Sequence, residues 1–101
     1  MKTVLITGAN KGVGLETAAQ LAALGYFVYL GSRDRELGEK AVAGLRDRGI
    51  SHVKLLVIDV TAPESIVSAA KQVEAESGVL DVLINNAGIA GEMPQHITTV
   101  E

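Results

Sequence analysis

The sequence predicts an α/β fold in which helices wrap a parallel β-sheet. Three observations support this prediction: four short apolar runs resemble strands, apolar residues at helical spacing follow each of the first three, and a glycine ends each helix. The element order is therefore β-α-β-α-β-α-β, in one domain that covers residues 1–101. Because such crossovers are right-handed, we expect the strand order 3-2-1-4, with the switch point between the first and fourth strands.

The four predicted strands are rich in aliphatic and β-branched residues. This composition is typical of strands that are buried on both faces of a parallel sheet. We therefore expect helices on both sides of the sheet. The strands are predicted over residues 1–7, 26–30, 52–58 and 79–85.

The three predicted helices each present apolar residues at helical spacing. Asp34 stands where the N-cap of the second helix is expected. Thr61 and Glu64 match a capping box for the third helix, with Pro63 in its first turn. The helices are predicted over residues 13–24, over 35–48 and from the capping box to 77, and residues 89–101 are expected to form a loop that reaches a further helix.

The composition limits the classes of function. Apolar residues make up 48% of the chain and charged residues 21%, which predicts a folded core rather than disorder. The net charge of -3 and the dispersed basic residues argue against nucleic acid or a membrane surface as partner. There is no cysteine for disulfide or thiol chemistry, and His52 and His96 lack partners at metal-binding spacing. The first apolar run is too short for a signal peptide or a membrane helix, so we expect a cytoplasmic protein.

A glycine-rich segment, residues 7–14, connects the first predicted strand to the first helix. Gly8 permits a sharp turn, Gly12 lets the backbone approach a pyrophosphate, and Gly14 permits close packing of helix on strand. The pyrophosphate would lie at the helix N-terminus, where free N–H groups and the helix dipole favour an anion. A P-loop is excluded, because Val13 stands where that motif needs a glycine. The alternative is a glycine-rich turn without a ligand.

The motif Thr-Gly-x-x-x-Gly-x-Gly at residues 7–14 resembles the cofactor fingerprint of short-chain dehydrogenases/reductases. Residues 85–88, Asn-Asn-Ala-Gly, resemble the second hallmark of that family, and Asp59 matches its adenine-contacting acid. Residues 10–15 are especially similar to the carbonyl-reductase branch. The resemblance implies a Rossmann-like dinucleotide-binding domain that is truncated relative to the family, because it covers only the first part of the family's fold.

The end of the second predicted strand favours NADP(H) over NAD(H). Ser32 takes the place of an acid that would bind the adenosine ribose, and the guanidinium of Arg33 can pair with a 2′-phosphate. Lys11 can supply a second positive charge, and in the family a basic residue at each of these places marks NADP preference. Solvated side chains are the alternative for both cations, and Asp34 could compete for Arg33 or cap the helix. The residues predicted to contact the cofactor are Gly8, Asn10, Lys11, Gly12, Val13, Gly14, Ser32, Arg33, Asp59, Val60, Asn86, Ala87 and Gly88.

Two parts of this site allow a second interpretation. Asp59 could be a solvated carboxylate after a strand rather than an adenine contact. Asn85 and Asn86 can bond to neighbouring backbone groups and brace the turn after the fourth strand. The resemblance implies a mainly structural role for this pair beside the cofactor.

No catalytic residue is predicted. The family's carbonyl chemistry uses a Tyr, a Lys four residues later, a Ser and an Asn, but Leu30 and Arg33 stand four residues after Tyr26 and Tyr29. The pair Asn85-Asn86 is not the catalytic Asn of the family. We therefore expect an NADP(H)-binding portion of an oxidoreductase that is inactive alone. The alternatives are a non-catalytic assembly or interaction protein, and half of a split reductase.

The fourth predicted strand suggests self-association. If residues 82–84 end the sheet, an apolar strand with unpaired N–H and C=O groups is open to another chain. A homodimer or higher oligomer with strand four against strand four is therefore expected. The alternative is a monomer whose tail folds back over the edge, with help from Met93, Pro94 and Ile97.

Overall fold

The structure, a computed structural model, describes residues 1–86 and 96–99. It contains the predicted alternation of strands and helices, followed by one further strand. The elements are β1 (Thr3–Ile6), α1 (Gly12–Ala23), β2 (Phe27–Ser32), α2 (Arg35–Asp47), β3 (Val53–Val57), α3 (Pro63–Ser77), β4 (Val82–Asn85) and β5 (His96–Thr99). The strand order is β3-β2-β1-β4-β5, which confirms the predicted 3-2-1-4 order and extends it at one edge.

β1 lies at the centre of the parallel part of the sheet. Its Leu5 is aligned with Tyr29 of β2 on one side and with Leu83 of β4 on the other. Because β1 to β4 are parallel, their last residues meet at one edge, which we call the carboxyl edge. The chain leaves β1 toward β2 and returns from β3 to β4, so the switch point lies between β1 and β4, where sheets of this kind bind ligands.

The two faces of the sheet carry separate hydrophobic cores. On one face α1 and α2 are packed, and the small Ala18 and Ala22 of α1 share a core with Val4 of β1. On the other face the described residues provide only α3, which contributes Ala69 and Val73. Helices therefore lie on both sides of the sheet, as expected, but they cover one side more fully than the other.

β2 and β4 differ from their predicted limits. β2 extends to Ser32, which is aligned with Val57 of β3. β4 begins only at Val82, and Asp81 before it is bonded to β1 partly through its side chain. The Asp81 N–H donates to the Thr3 carbonyl at 2.9 Å, and the Asp81 carboxylate accepts from the Thr3 N–H at 2.8 Å. The pairing of Ser32 with Val57 makes Ser32 part of the sheet rather than of the loop that follows β2.

The predicted capping box before α3 is wrong. Ala62 is the N-cap and makes no side-chain cap, although Pro63 does occupy the first helical position. The Thr61 hydroxyl donates instead to the Asp59 carboxylate, at 2.7 Å. The helix begins one residue later than the capping box requires, so Thr61 is not at the N-cap position and forms a local turn with Asp59 instead.

The prediction that β4 ends the sheet is also wrong. β5 pairs antiparallel with β4, with Ile97 aligned with Ile84 and His96 with Asn85. The expected loop is thus replaced by a strand at residues 96–99, where β-branched residues meet the open N–H and C=O groups of β4. Met93 and Pro94 lie outside the described residues. This pairing agrees with the alternative in which the tail folds back over the edge of β4. The edge of β4 that motivated the predicted dimer is thus occupied by β5. The oligomeric state stays a prediction.

Three further properties concern residues 1–86 and 96–99. No helix in these ranges is both long enough and apolar enough to cross a bilayer. No group of three or more His, Cys, Asp or Glu side chains in these ranges is arranged to hold a metal ion. Every buried side-chain nitrogen or oxygen atom that the structure describes has a hydrogen-bond partner.

Candidate cofactor-binding site

The loop from β1 to α1 depends on two glycines with positive φ. Gly8 has a φ of 59° and Gly12 a φ of 64°, a region that other residues rarely adopt. A Cβ placed on Gly12 would have no atom within 4 Å. The backbone conformation, rather than crowding by the protein, therefore requires glycine there. The space in front of Gly12 is open to a ligand, which fits its predicted role.

Gly14, in the first turn of α1, is required for a different reason. A Cβ there would collide with the side-chain amide of Asn86, and it would lie 3.0 Å from both the Ala9 Cα and the Gly8 carbonyl oxygen. Close packing at Gly14 was predicted against the strand. The structure places it against the glycine loop and Asn86 instead. Gly14 therefore lets α1 begin directly beneath the loop.

The N-terminus of α1 has no internal cap. Lys11 is the N-cap, with an extended backbone, and its side chain makes no capping hydrogen bond. The first turn of the helix contains no acidic residue. The first N–H groups of a helix lack partners within the helix, and the helix dipole adds partial positive charge. This terminus therefore has the chemistry of an anion site.

Asn85 and Asn86 tie β1, β4 and the glycine loop together. The Thr7 hydroxyl donates to Asn85 Oδ1 at 2.9 Å and accepts from the Asn86 N–H at 3.0 Å. The Asn86 side-chain amide donates to the Gly8 carbonyl oxygen at 3.0 Å. These bonds agree with the bracing role that the resemblance implied. Ala87 and Gly88, which complete the motif, lie outside the described residues.

The end of β2 lies beside the glycine loop. The Ala9 N–H donates to the Gly31 carbonyl at 2.8 Å. Asn10 Oδ1 lies 3.5 Å from the Ser32 hydroxyl oxygen, and only 1% of Ser32 is exposed. Arg33, the next residue, is exposed, as is Lys11 in the glycine loop. The structure therefore brings the predicted pyrophosphate loop and the predicted phosphate-binding cations to the same edge.

Asp34 is a helix cap. Its Oδ1 accepts a hydrogen bond from the Leu37 N–H at 2.9 Å, which confirms the capping interpretation. The ion pairs of the described residues join Arg48 to Glu16 and Lys54 to Glu76, so Arg33 is not paired with Asp34 there. The alternative in which Asp34 competes for Arg33 thus has no support in the geometry.

Asp59 follows β3 at the same edge. Its Oδ1 accepts from the Thr61 hydroxyl at 2.7 Å and from the Thr61 N–H at 2.9 Å. These two bonds, with a smaller contribution from the charge of Arg33, hold the pKa of Asp59 below its usual value. The Asp59 N–H donates to Ser65 Oγ at 2.8 Å. The carboxylate is thus charged at neutral pH and fixed in place, with the half-buried Val60 beside it.

Comparison with known proteins identifies the family. A profile described as short chain dehydrogenase matches residues 2–101. The chain belongs to the short-chain dehydrogenase/reductase family. The family predicted from the glycine motif, from Asp59 and from the Asn-Asn-Ala-Gly segment is therefore confirmed.

Individual relatives agree with this assignment. "Short-chain dehydrogenase/reductase 1" of Saponaria officinalis is 43% identical over 99 residues, which cover 96% of this chain and 33% of that protein. Salutaridine reductase from Papaver somniferum has a TM-score of 0.86 at 38% identity, over 90% of this chain and 31% of that one. L-sorbose reductase from Gluconobacter frateurii, solved in complex with NADPH and L-sorbose, has a TM-score of 0.78 at 31% identity, over 87% of this chain and 34% of that one. The chain spans about a third of the length of these relatives and corresponds to the N-terminal portion of the family's fold.

Tyr29, in the middle of β2, lies away from the carboxyl edge. The Tyr29 hydroxyl donates to Glu76 Oε1 at 3.0 Å and lies 2.9 Å from Ser77 Oγ, at the C-terminal end of α3. Burial is the main cause that raises the pKa of Tyr29. The Lys54 ammonium donates to Glu76 at 2.6 Å and is the main cause that lowers the pKa of Glu76. This network joins α3 to β2 and β3, and it was not predicted, because its members are far apart in the sequence.

Thr61 and Ser65 are also parts of the site that sequence reasoning missed. Both bind Asp59, through its carboxylate and its N–H respectively. A signal was present, because an Asp followed two residues later by Thr is typical of an Asx turn. That signal was attributed to the helix cap instead.

Proposed function

We propose that this chain is the NADP(H)-binding portion of a short-chain dehydrogenase/reductase. The observation that carries the proposal is the juxtaposition of the uncapped N-terminus of α1 with the exposed Lys11 and Arg33 at the carboxyl edge. An anion-binding helix terminus serves the pyrophosphate of either nicotinamide cofactor. Two cations beside it add a binding site for the 2′-phosphate, which only NADP(H) carries.

The residues fit the cofactor as follows. The first turn of α1 and the open face of Gly12 would hold the pyrophosphate, with Gly8, Asn10, Val13 and Gly14 shaping the loop. Arg33 and Lys11 would meet the 2′-phosphate, and Ser32 would support Arg33. When bound, the cofactor supplies or accepts a hydride. The chain's own groups bind and orient it. Asp59 and Val60 would contact the adenine, with Asn86, Ala87 and Gly88 on the β4 side.

One solved relative supports this choice of cofactor. L-sorbose reductase was solved with NADPH, and its structure is similar to this chain at a TM-score of 0.78. The proposal extends that cofactor to this chain through Lys11 and Arg33. A cytoplasmic location, which the composition favours, is part of the same proposal.

Half of a split reductase is the second candidate, and an apolar groove that further protein could cover is compatible with it. The groove has a volume of about 530 Å³ and lies between α3 and the β1–β4 face. Its lining includes Leu5, Leu80 and Leu83 from the sheet side and the exposed Ile66 from α3. Exposed apolar surfaces of this kind are typical of sites that bind another protein segment or a ligand. The relatives are about three times as long, so further protein, in the same or a second polypeptide, would cover the groove.

Equilibrium titrations with NADPH and NADH test the proposed cofactor. We expect NADPH to bind more tightly, and Arg33→Ala to remove most of that preference. A hydrogen bond to a charged group contributes about 1.5–3 kcal/mol, which corresponds to a loss of roughly tenfold or more in NADPH affinity. Arg35→Ala, which removes a neighbouring exposed arginine, is the matched control and should leave both affinities unchanged. Equal affinities of the parent chain for the two cofactors would contradict the proposal.

A turnover assay tests whether this chain is inactive alone. Neither tyrosine of the sequence is followed four residues later by a lysine, so no group protonates a substrate oxygen in the family's manner. We expect no NADPH consumption by the purified chain with a panel of aldehydes and ketones. Steady NADPH consumption that survives rigorous purification would overturn this expectation.

A further inference from the structure

We propose that Ser32 is a positioning residue whose buried hydroxyl fixes the turn that presents Arg33, and that it thereby sets the discrimination between NADP(H) and NAD(H). The inference rests on the proposed function and deepens it. Arg33 is the group that would meet the 2′-phosphate. Ser32 would act through Arg33 rather than by touching the cofactor.

The hydroxyl of Ser32 closes a small ring around Arg33. Ser32 Oγ donates to the Asp34 carbonyl oxygen at 2.8 Å and accepts from the Asp34 N–H at 3.2 Å. Both bonds reach over the intervening residue. They hold the backbone on either side of Arg33 at a fixed separation.

Both neighbours of Arg33 are anchored in regular structure. The Ser32 carbonyl accepts from the Ile58 N–H at 3.0 Å, next to β3. Asp34 caps α2 through Leu37, and its carbonyl accepts from the Gly38 N–H at 2.9 Å. The Arg33 side chain itself is exposed. A charged side chain on a backbone that is already ordered loses less conformational freedom when it binds a ligand, so its affinity for that ligand is higher.

The Ser32 hydroxyl is not available as a direct ligand. Only 1% of the residue is exposed, and its oxygen already binds both polar backbone groups of Asp34. A Cβ on Gly38 would lie 3.0 Å from the Ser32 Cβ, so α2 packs tightly on this side chain. A hydroxyl enclosed in this way supports a neighbour and does not contact a molecule in solvent.

The same turn is joined to the glycine loop. The Ala9 N–H donates to the Gly31 carbonyl at 2.8 Å, and Asn10 Oδ1 lies 3.5 Å from Ser32 Oγ, whose single proton is donated to Asp34. The position of Arg33 is therefore fixed relative to the N-terminus of α1. The distance between the two phosphate sites is set by the protein before the cofactor arrives.

Ser32→Ala in the full chain tests the inference by titration with NADPH and NADH. We expect the Kd for NADPH to rise about fivefold, as for the loss of one hydrogen bond, and the Kd for NADH to stay the same. Ser51→Ala, at an exposed serine outside the site, is the matched control and should change neither value. If circular dichroism shows Ser32→Ala unfolded, Ser32→Cys decides, because the thiol has a similar size and is a weaker donor. Its NADPH affinity should fall while its NADH affinity is kept.

A double variant separates positioning from general damage to the fold. In the Arg33→Ala background, Ser32→Ala should have no further effect on NADPH affinity. An equal loss for both cofactors, an unchanged ratio of the two affinities, or an effect that persists without Arg33 would overturn the inference. A parent chain that does not prefer NADPH would instead show that the proposed function fails. Preference in the parent that survives Ser32→Ala refutes only the role of Ser32.

Discussion

The N-termini of α1 and α2 lie at the same edge of the sheet, but only one of them is closed by its own sequence. α2 begins after Asp34, whose carboxylate accepts from the Leu37 N–H, and Glu36 adds negative charge in the first turn. α1 begins after Lys11, without a side-chain cap and without an acid in the first turn. Gly8, with a positive φ, precedes α1, and the first residue of α1, Gly12, also has a positive φ. Only two residues separate the end of β2 from the start of α2.

The difference shows which terminus is structural and which is available to a ligand. The first N–H groups of any helix need acceptors, and a capping carboxylate supplies one internally. Where the sequence supplies a lysine instead, an external anion can take that place and also gain from the helix dipole. The absence of a cap at α1 thus agrees with the proposed pyrophosphate site. The cap at α2 serves to hold the turn that carries Arg33.

Among the substitutions that test this comparison, Gly14→Ala should cause the largest change, a loss of stability. The new methyl group would meet the Asn86 amide and the backbone of Gly8 and Ala9, so we expect a loss of about 1–3 kcal/mol in the free energy of unfolding. Urea denaturation measures it. Gly44→Ala in α2 is the matched control, because a Cβ there meets no atom within 4 Å. That variant should stabilise the protein by about 1 kcal/mol. Changes of the same sign in both would contradict the packing described for α1.

Asp34→Ala should destabilise the protein by about 1 kcal/mol, because it removes the only side-chain acceptor that the structure gives to the first turn of α2. Thermal unfolding and urea denaturation provide the measurement. Asp47→Ala, at the exposed last residue of the same helix, is the control with equal charge change and no cap to lose. Equal effects of the two substitutions would show that the cap is not the cause.

Lys11→Ser should act in the opposite direction on stability. A serine at the N-cap position, where the backbone is already extended, can accept from the first turn of α1 and add roughly 0.5 kcal/mol. The same change removes a cation from the proposed 2′-phosphate site, so NADPH affinity should fall. A variant that gains stability and keeps its NADPH affinity would argue against a role for Lys11. Lys40→Ser, at an exposed position within α2, is the control and should not lower the affinity for NADPH or for NADH.

Thr61→Ala should have the smallest effect, a change in the titration of Asp59 alone. Without the hydroxyl bond, the pKa of Asp59 should rise toward its ordinary value of 3.8. The folded state lowers this pKa, so the contribution of Asp59 to stability is present above pH 3.8 and is lost as the pH falls through the folded value. Carboxyl carbon chemical shifts followed by NMR report the change. The Thr61 N–H bond to Asp59 remains in this variant, so an unaltered titration would show that the hydroxyl bond does not control the pKa of Asp59.

Much of the fold was predictable because its signals are local. The apolar runs, the glycines at 8, 12 and 14, and the cap at Asp34 each depend on a few consecutive residues. Alternating strands and helices then leave few topologies. β5 was missed because residues 96–99 become a strand only by pairing with β4, and nothing within those residues identifies the partner.

The candidate site was predictable as a set of residues but not as a set of contacts. The spacing of Lys11, Ser32 and Arg33 indicates cofactor chemistry, yet the direction of the Ser32 hydroxyl depends on Asp34 and on the packing of α2. Gly14 was predicted to approach the strand and instead packs on Asn86, from a distant part of the sequence. Contacts between segments that are far apart in sequence require the tertiary structure.

The most direct test of the central claim follows backbone amide shifts of the nitrogen-15-labelled chain during addition of NADPH. If the uncapped terminus of α1 holds the pyrophosphate, the largest shifts should occur at Gly12, Val13 and Gly14. Shifts at Arg33 should appear with NADPH and be much weaker with NADH. The amide of Leu37, which is already bonded to Asp34, should change little. Equal shifts at the two helix termini, or shifts absent from Gly12 to Gly14, would contradict the assignment of the site.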